Sequence, residues 1–222
     1  MYRLHYTPDA ASLVVRIVLT ELDQPVEMVL LDKAAGAQDT PAYRRLQPLG
    51  LVPSLETTDG PMFETAAILL WLADRHGGLA PLPTSPARAD FLKWLIFTNN
   101  SVHTTLLQLF YPDRVAGPDC VPQVIAAARL RMDGFLRLLD QTVAQSPAWA
   151  AVDHPSILGH YIGMLIRWLQ YGGPGDAAHF PLPDYPALRA MLLGLEQRPA
   201  ALTAAQAEGL GPHLYSDPEH KG

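Results

Sequence analysis

An acidic residue and a hydroxyl, Glu64-Thr65, stand immediately before the apolar run Ala66 to Ala73. If that run is a helix, Thr65 occupies its N-terminus, where unpaired N–H groups and the positive dipole end favour a carboxylate and the hydroxyl adds a donor. Glu64 can meet an ammonium group. In isolation the pair reads at least as well as a plain helix cap. Upstream, Val52-Pro53 leads into Ser54-Leu55-Glu56-Thr57. A proline there suits a strand start or edge, and its bond is a candidate cis peptide. Other chemistries lack their parts. The single cysteine, Cys120, can form neither an internal disulfide nor a multi-thiolate metal site, and its polar, proline-flanked setting suits a bystander thiol. The histidines are scattered, and His154 with His160 is not a helical i, i+4 pair. No Gly-x-Ser-x-Gly element occurs, and the glycines of a P-loop or dinucleotide fingerprint are missing.

The elements that must position these residues follow in chain order. A strand over residues 2–6 ends at Thr7-Pro8, and Leu13, Val14, Ile17, Val18 and Leu22 then recur at helical spacing. Gln24-Pro25 breaks that helix and a second strand covers 26–31, so a βαβ unit with parallel strands is expected. Thr40-Pro41 opens a short helix through Arg45. Gln47-Pro48-Leu49-Gly50 is turn chemistry, and Thr58-Asp59-Gly60-Pro61 folds the 54–57 strand back onto Met62-Phe63 as a hairpin. The run from Glu64 to the stop at Gly77-Gly78 is apolar on every face, which predicts an interior helix. The order is βαβαββα for residues 1–77. A Pro/Gly-rich linker spans 78–86, and 87–222 reads as helices only. Apolar spacing predicts helices over 87–111 and 121–145, a central helix over 156–171 and two shorter ones over 185–196 and 200–208. A flexible loop is expected over 172–183 and a mobile tail from His213.

With 222 residues, 49% hydrophobic and 17% charged, the chain can bury a sizeable core. A net charge of -6, from 16 basic against 22 acidic residues, argues against nucleic acid as a partner. The opening MYRLHYTPDA has no basic segment followed by a long apolar run, and no stretch approaches about 18 apolar residues. No secretory signal or membrane span is expected, and a cytoplasmic location is.

The sequence resembles the cytosolic glutathione transferases over nearly its whole length. The resemblance rests on Gln47-Pro48-Leu49-Gly50-Leu51-Val52-Pro53-Ser54-Leu55, on Phe63-Glu64-Thr65-Ala66-Ala67-Ile68-Leu69-Leu70-Trp71-Leu72-Ala73, and on Arg198-Pro199-Ala200 with Glu208-Gly209. Within the family, Tyr6 to Leu13 and the segment from Trp94 through His103 to Asp113 are similar to the bacterial beta class. The resemblance implies an α+β thioredoxin-like domain followed by an all-α bundle. It implies that Val52, before a cis proline, pairs its backbone with the cysteinyl part of glutathione, and that Glu64 and Thr65 hold the γ-glutamyl end. Lys33 and Pro53 complete the glutathione-binding set, Phe97, His103 and Tyr111 line the pocket for a small hydrophobic electrophile, and a homodimer engaged in detoxification is expected.

Four positions depart from the pattern, three of them from the beta class and the fourth from the family as a whole. Ala11 stands where that class has a cysteine, so a mixed disulfide with glutathione cannot form there. The adjacent Ser12 hydroxyl is the expected replacement, donating to the glutathione thiolate, with Tyr6 as the second candidate; a helix-capping role for Ser12 is equally open. Ile96 and Thr104 replace an asparagine and a lysine while His103 is kept. The central helix begins Ser156-Ile157-Leu158-Gly159 without the usual carboxylate three residues after the cap, so Gly159→Asp is expected to stabilise the protein by about 0.5–1 kcal/mol. The implied activity is conjugation of glutathione to an electrophile. Peroxide reduction, dehalogenation, ether cleavage and a non-catalytic binding role share the same fold.

Overall fold

The computed structural model describes residues 1–172 and 177–219. Strand β1 (Tyr2–Tyr6) feeds helix α1 (Ser12–Glu21), which returns the chain to β2 (Val26–Leu30), parallel to β1 with Tyr2 opposite Val26. Helix α2 (Pro41–Arg44) starts at Thr40, whose hydroxyl accepts from Tyr43 N at 3.2 Å. The turn at 47–50 closes with Gly50 N donating to Gln47 O; Gly50 has φ +66, and a Cβ there would lie 2.9 Å from Gln38 O. Only glycine fits that corner. Strands β3 (Ser54–Thr57) and β4 (Gly60–Met62) form the hairpin, and α3 (Thr65–His76) follows. Sheet order is β2-β1-β3-β4, with β3 antiparallel to both neighbours, so the βαβαββα order is present with its mixed sheet.

Helix α3 buries Ile68, Leu69, Leu72 and Ala73, but Ala67 is exposed and Leu70 and Trp71 are half-buried. It is therefore not interior on every face, because within one chain nothing covers its outer side. The rest is helical. α4 (Arg88–Phe97) and α5 (Thr104–Phe110) form one rod joined by a π-helical turn, Thr98–His103, and α6 (Asp113–Ala116) and the long α7 (Val121–Val143) follow. α8 (Ile157–Gln170) buries nearly every residue, as a central helix should, and α9 (Pro186–Leu195) and α10 (Pro199–Glu208) complete the bundle. One continuous apolar core runs through both halves, and no helix among the described residues is long and apolar enough to cross a membrane.

Two expectations of mobility are corrected. Of the 172–183 loop, residues 173–176 lie outside the described residues. The remainder is pinned, with Phe180 N donating to Leu169 O at 2.9 Å and Ala178 and Phe180 buried. The tail is also held over its first part. Leu214 and Tyr215 are buried, and Tyr215 N and Ser216 N both donate to the buried Glu196 carboxylate at 3.0 Å. The Tyr215 ring lies against α8 at Gly163, where a Cβ would come within 3.0 Å of it. Residues 220–222 lie outside the described residues.

Candidate functional site

Two ends of the first half converge on one cleft. At the first, the Val52-Pro53 bond is cis, and neither Val52 N–H nor its C=O has a backbone partner among the described residues. Tyr43 supports this corner, its hydroxyl donating to Leu51 O at 2.5 Å. An unpaired donor and acceptor on one extended residue can accept an added strand. Glu64 follows, outside the first turn of α3, with φ +72 and no side-chain cap bond. Positive φ is costly for a non-glycine residue and marks functional corners. A simple capping role for Glu64 is thereby removed, and its carboxylate is exposed. Thr65, 6% exposed, opens α3 beside it. Lys33 is exposed in the turn after β2.

The second end is the loop from β1 to α1. Ser12 is wholly buried and its Oγ donates to Thr7 O at 3.2 Å, so the hydroxyl staples the loop and does not face the cleft. Donation from Ser12 to a thiolate would require this hydroxyl to turn away from Thr7 O. Ala11 caps α1 without a side-chain bond, and among the described residues the first-turn amides of Ala11 and Ser12 have no backbone partner. Tyr6 is half-buried, the Arg16 guanidinium stacked 4.9 Å from its ring, and its hydroxyl is unpaired among the described residues. Sequence reasoning missed Asp9. Its φ is +53, its N–H donates to Glu208 Oε2 at 2.9 Å, and its carboxylate receives Arg167 Nε and Nη2 at 2.8 and 3.0 Å. Trp168 Nε1 and the Tyr171 hydroxyl add bonds of 3.1 Å each. Arg167 is fully buried, and a lone cation in the apolar run of α8 is the signal that could have found this pair, since such a charge requires a partner.

From the helical half, His103 comes to the same cleft. Its ring lies 5.8 Å from that of Tyr161 and 5.9 Å from that of Trp168, which in turn holds Asp9. Its Nδ1 is 2.7 Å from Tyr161 Oη, and Tyr161 donates to Asn99 Oδ1 at 3.0 Å. Burial holds His103 down at about 4, so the ring is neutral at pH 7. Burial first, then the Glu64 carboxylate across the cleft, push the Tyr161 phenol well above its ordinary value. The other two pocket residues sit apart. Phe97 packs in an aromatic cluster with Trp94 at 5.5 Å and Phe135 of α7 at 5.3 Å, inside the bundle, because helical phase turns it toward α7. Tyr111 is exposed at the end of α5 under the Arg114 guanidinium, 4.0 Å away.

A family model described as glutathione S-transferase, N-terminal domain, matches residues 4–80. Glutathione S-transferase GST-4.5 of Xanthomonas campestris pv. campestris is 29% identical over 211 residues, covering 94% of this chain and 99% of its own. A sphingomonad glutathione S-transferase complexed with glutathione superposes with a TM-score of 0.76 at 30% identity, covering 94% of this chain and all of its own. A bacterial beta class glutathione S-transferase from Sphingomonas chungbukensis gives 0.76 at 26% identity, over 93% and 98%. With the mixed sheet, the cis proline corner and the helical half in the same order, this chain belongs to the glutathione S-transferase family.

Proposed function

We propose that this transferase binds glutathione in the cleft between its two halves and joins the glutathione sulfur to a small hydrophobic electrophile. The observation that carries the reading is the unpaired Val52 backbone beside the strained Glu64 and the open end of α3. Val52 pairs with the cysteinyl amide, Glu64 meets the α-ammonium, and Thr65 with the α3 amides takes the α-carboxylate. Lys33, exposed in the turn after β2, is assigned to the glycyl carboxylate. The sulfur then lies toward α1, where the unpaired amides of Ala11 and Ser12 and the helix dipole favour thiolate over thiol. Tyr6, whose hydroxyl is unpaired among the described residues, offers a side-chain donor for the same task. The thiolate attacks carbon, the C–S bond forms, and the leaving group departs with the bonding pair. His103 and Trp168 border the electrophile.

Ala11 in place of a cysteine favours conjugation over thiol exchange, because no protein sulfur stands at α1; Cys120 is exposed in the turn before α7. A cytoplasmic homodimer acting in detoxification fits this chemistry. The test is calorimetric titration with glutathione, followed by thiolate absorbance in the complex and turnover of an aryl halide. Binding with a thiol ionised near neutral pH is expected, and absence of binding would remove the reading.

A further inference from the structure

The π-helical turn Thr98–His103 carries a hydrogen-bond chain that glutathione binding does not by itself require. Asn99 and His103, four residues apart, both reach Tyr161 of α8. The phenol has one proton, and it is directed at Asn99 Oδ1, 3.0 Å away. Asn99 Nδ2 donates to Asn100 Oδ1, also at 3.0 Å, which agrees with an amide oxygen turned toward the phenol. The phenol oxygen is then an acceptor on its other side, where His103 Nδ1 lies at 2.7 Å. A neutral imidazole has one N–H. If Nδ1 carries it, Nε2 holds a lone pair, and among the described residues Nε2 has no partner and is not one of the buried unpaired atoms.

We infer that Asn99 and Tyr161 are positioning residues that hold His103 in its Nδ1–H tautomer, leaving Nε2 as a hydrogen-bond acceptor open to the cleft. Tyr161 is wholly buried and stays a neutral phenol, so the chain does not reverse with pH across the working range. An acceptor at this place takes a hydrogen bond from the glutathione thiol or from a water on it, and so gives the thiol proton a path away as the thiolate forms at α1. That use of Nε2 rests on the glutathione reading above. The tautomer does not.

Nitrogen-15 NMR of the histidine side chains in the ligand-free protein reads the tautomer, with His103→Gln used to assign the signal. Native protein and Asn99→Asp, which keeps an acceptor, should show Nδ1 protonated. In Asn99→Leu the phenol has only Nδ1 left to donate to, and the proton should move to Nε2. Protonated Nε2 in the native protein, or no change in Asn99→Leu, overturns the inference. In turnover, Asn99→Leu should lower kcat by about tenfold with glutathione affinity held within about twofold, and Asn99→Asp should restore most of it. A loss confined to glutathione affinity, or no loss, overturns the positioning role. If the native protein binds no glutathione, the proposed function fails while the NMR result still decides the tautomer.

Discussion

A hydroxyl donates one hydrogen bond, and that of Ser12 goes to the Thr7 carbonyl in a fully buried setting. Ser12→Ala should therefore leave the ionisation of bound glutathione unchanged and lower stability by about 1 kcal/mol, the cost of a carbonyl left without its donor. Thiolate absorbance against pH and a urea midpoint read the two effects separately; a rise of about one unit in the thiol's apparent pKa would return the hydroxyl to the chemistry. Asp9 is the reverse case. Its carboxylate faces a wholly buried Arg167, and Asp9→Asn leaves that cation without a counter-charge. Removing one partner of a buried pair costs about 3 kcal/mol or more, so a fall of that size in unfolding free energy is expected. A change below about 1 kcal/mol would mean that water, and not Asp9, solvates Arg167.

At the scale of elements, α8 shows what spacing can and cannot convey. Ser156 caps it as read, its Oγ accepting from Gly159 N at 3.0 Å, and it also donates to Trp149 O at 2.6 Å. Yet Gly159 is packed, and a Cβ there would lie 3.2 Å from Leu195 Cδ1 on α9. The gain expected for Gly159→Asp is thus opposed by crowding that Gly159→Ala would feel alone. Asp should be more stable than Ala at this position by about 0.5–1 kcal/mol, with thermal midpoints of the two variants as the measure. Parity would mean the carboxylate does not reach the Ser156 amide. The strands, the hairpin and the order of helices were legible because alternation and 3.6-residue spacing are local, while the cis Val52-Pro53 bond was only a candidate from its proline and followed from the family resemblance. Three features were not legible. The π-helical turn leaves the apolar spacing of 88–110 almost intact, so periodicity passes over it. The open face of α3 carries Ala67, Leu70 and Trp71, apolar like its buried face. The inward turn of the Ser12 hydroxyl depends on the path of Thr7-Pro8-Asp9, which partners far along the chain determine.

At the scale of the molecule, two buried groups make stability depend on pH in separable windows. His103 titrates at about 4 in the fold against 6.5 unfolded, because burial disfavours its charge. The unfolded chain takes up its proton first, so stability falls as pH drops from 6.5 toward 4. For Glu21, burial acts to raise the pKa, but hydrogen bonds and charge from Arg198 and His160 outweigh it and hold the group at about 2 against 4.5. Its contribution is present above 4.5 and is lost as pH falls toward 2. Urea midpoints across this range should lose the upper phase in His103→Gln and the lower phase in Glu21→Gln; unchanged slopes would refute the assignment. A second whole-molecule expectation concerns the uncovered apolar side chains Leu51 and Phe63 near the hairpin and Ile96 on α4, which are 53%, 39% and 50% exposed. Light scattering should report a dimer, and Phe63→Glu should shift it toward monomer. The lock on Asp9 has a consequence in time. Glu208 takes its amide, and Arg167 is itself held by Leu214 O at 2.9 Å, within the last residues of the chain. During synthesis the first loop leaves the ribosome with its partners still unmade. The first loop can therefore gain its full set of bonds only once residues 208–214 have been made, and a product cut short before residue 208 would keep Arg167, Trp168 and Tyr171 on the Asp9 carboxylate while the Asp9 amide loses its acceptor.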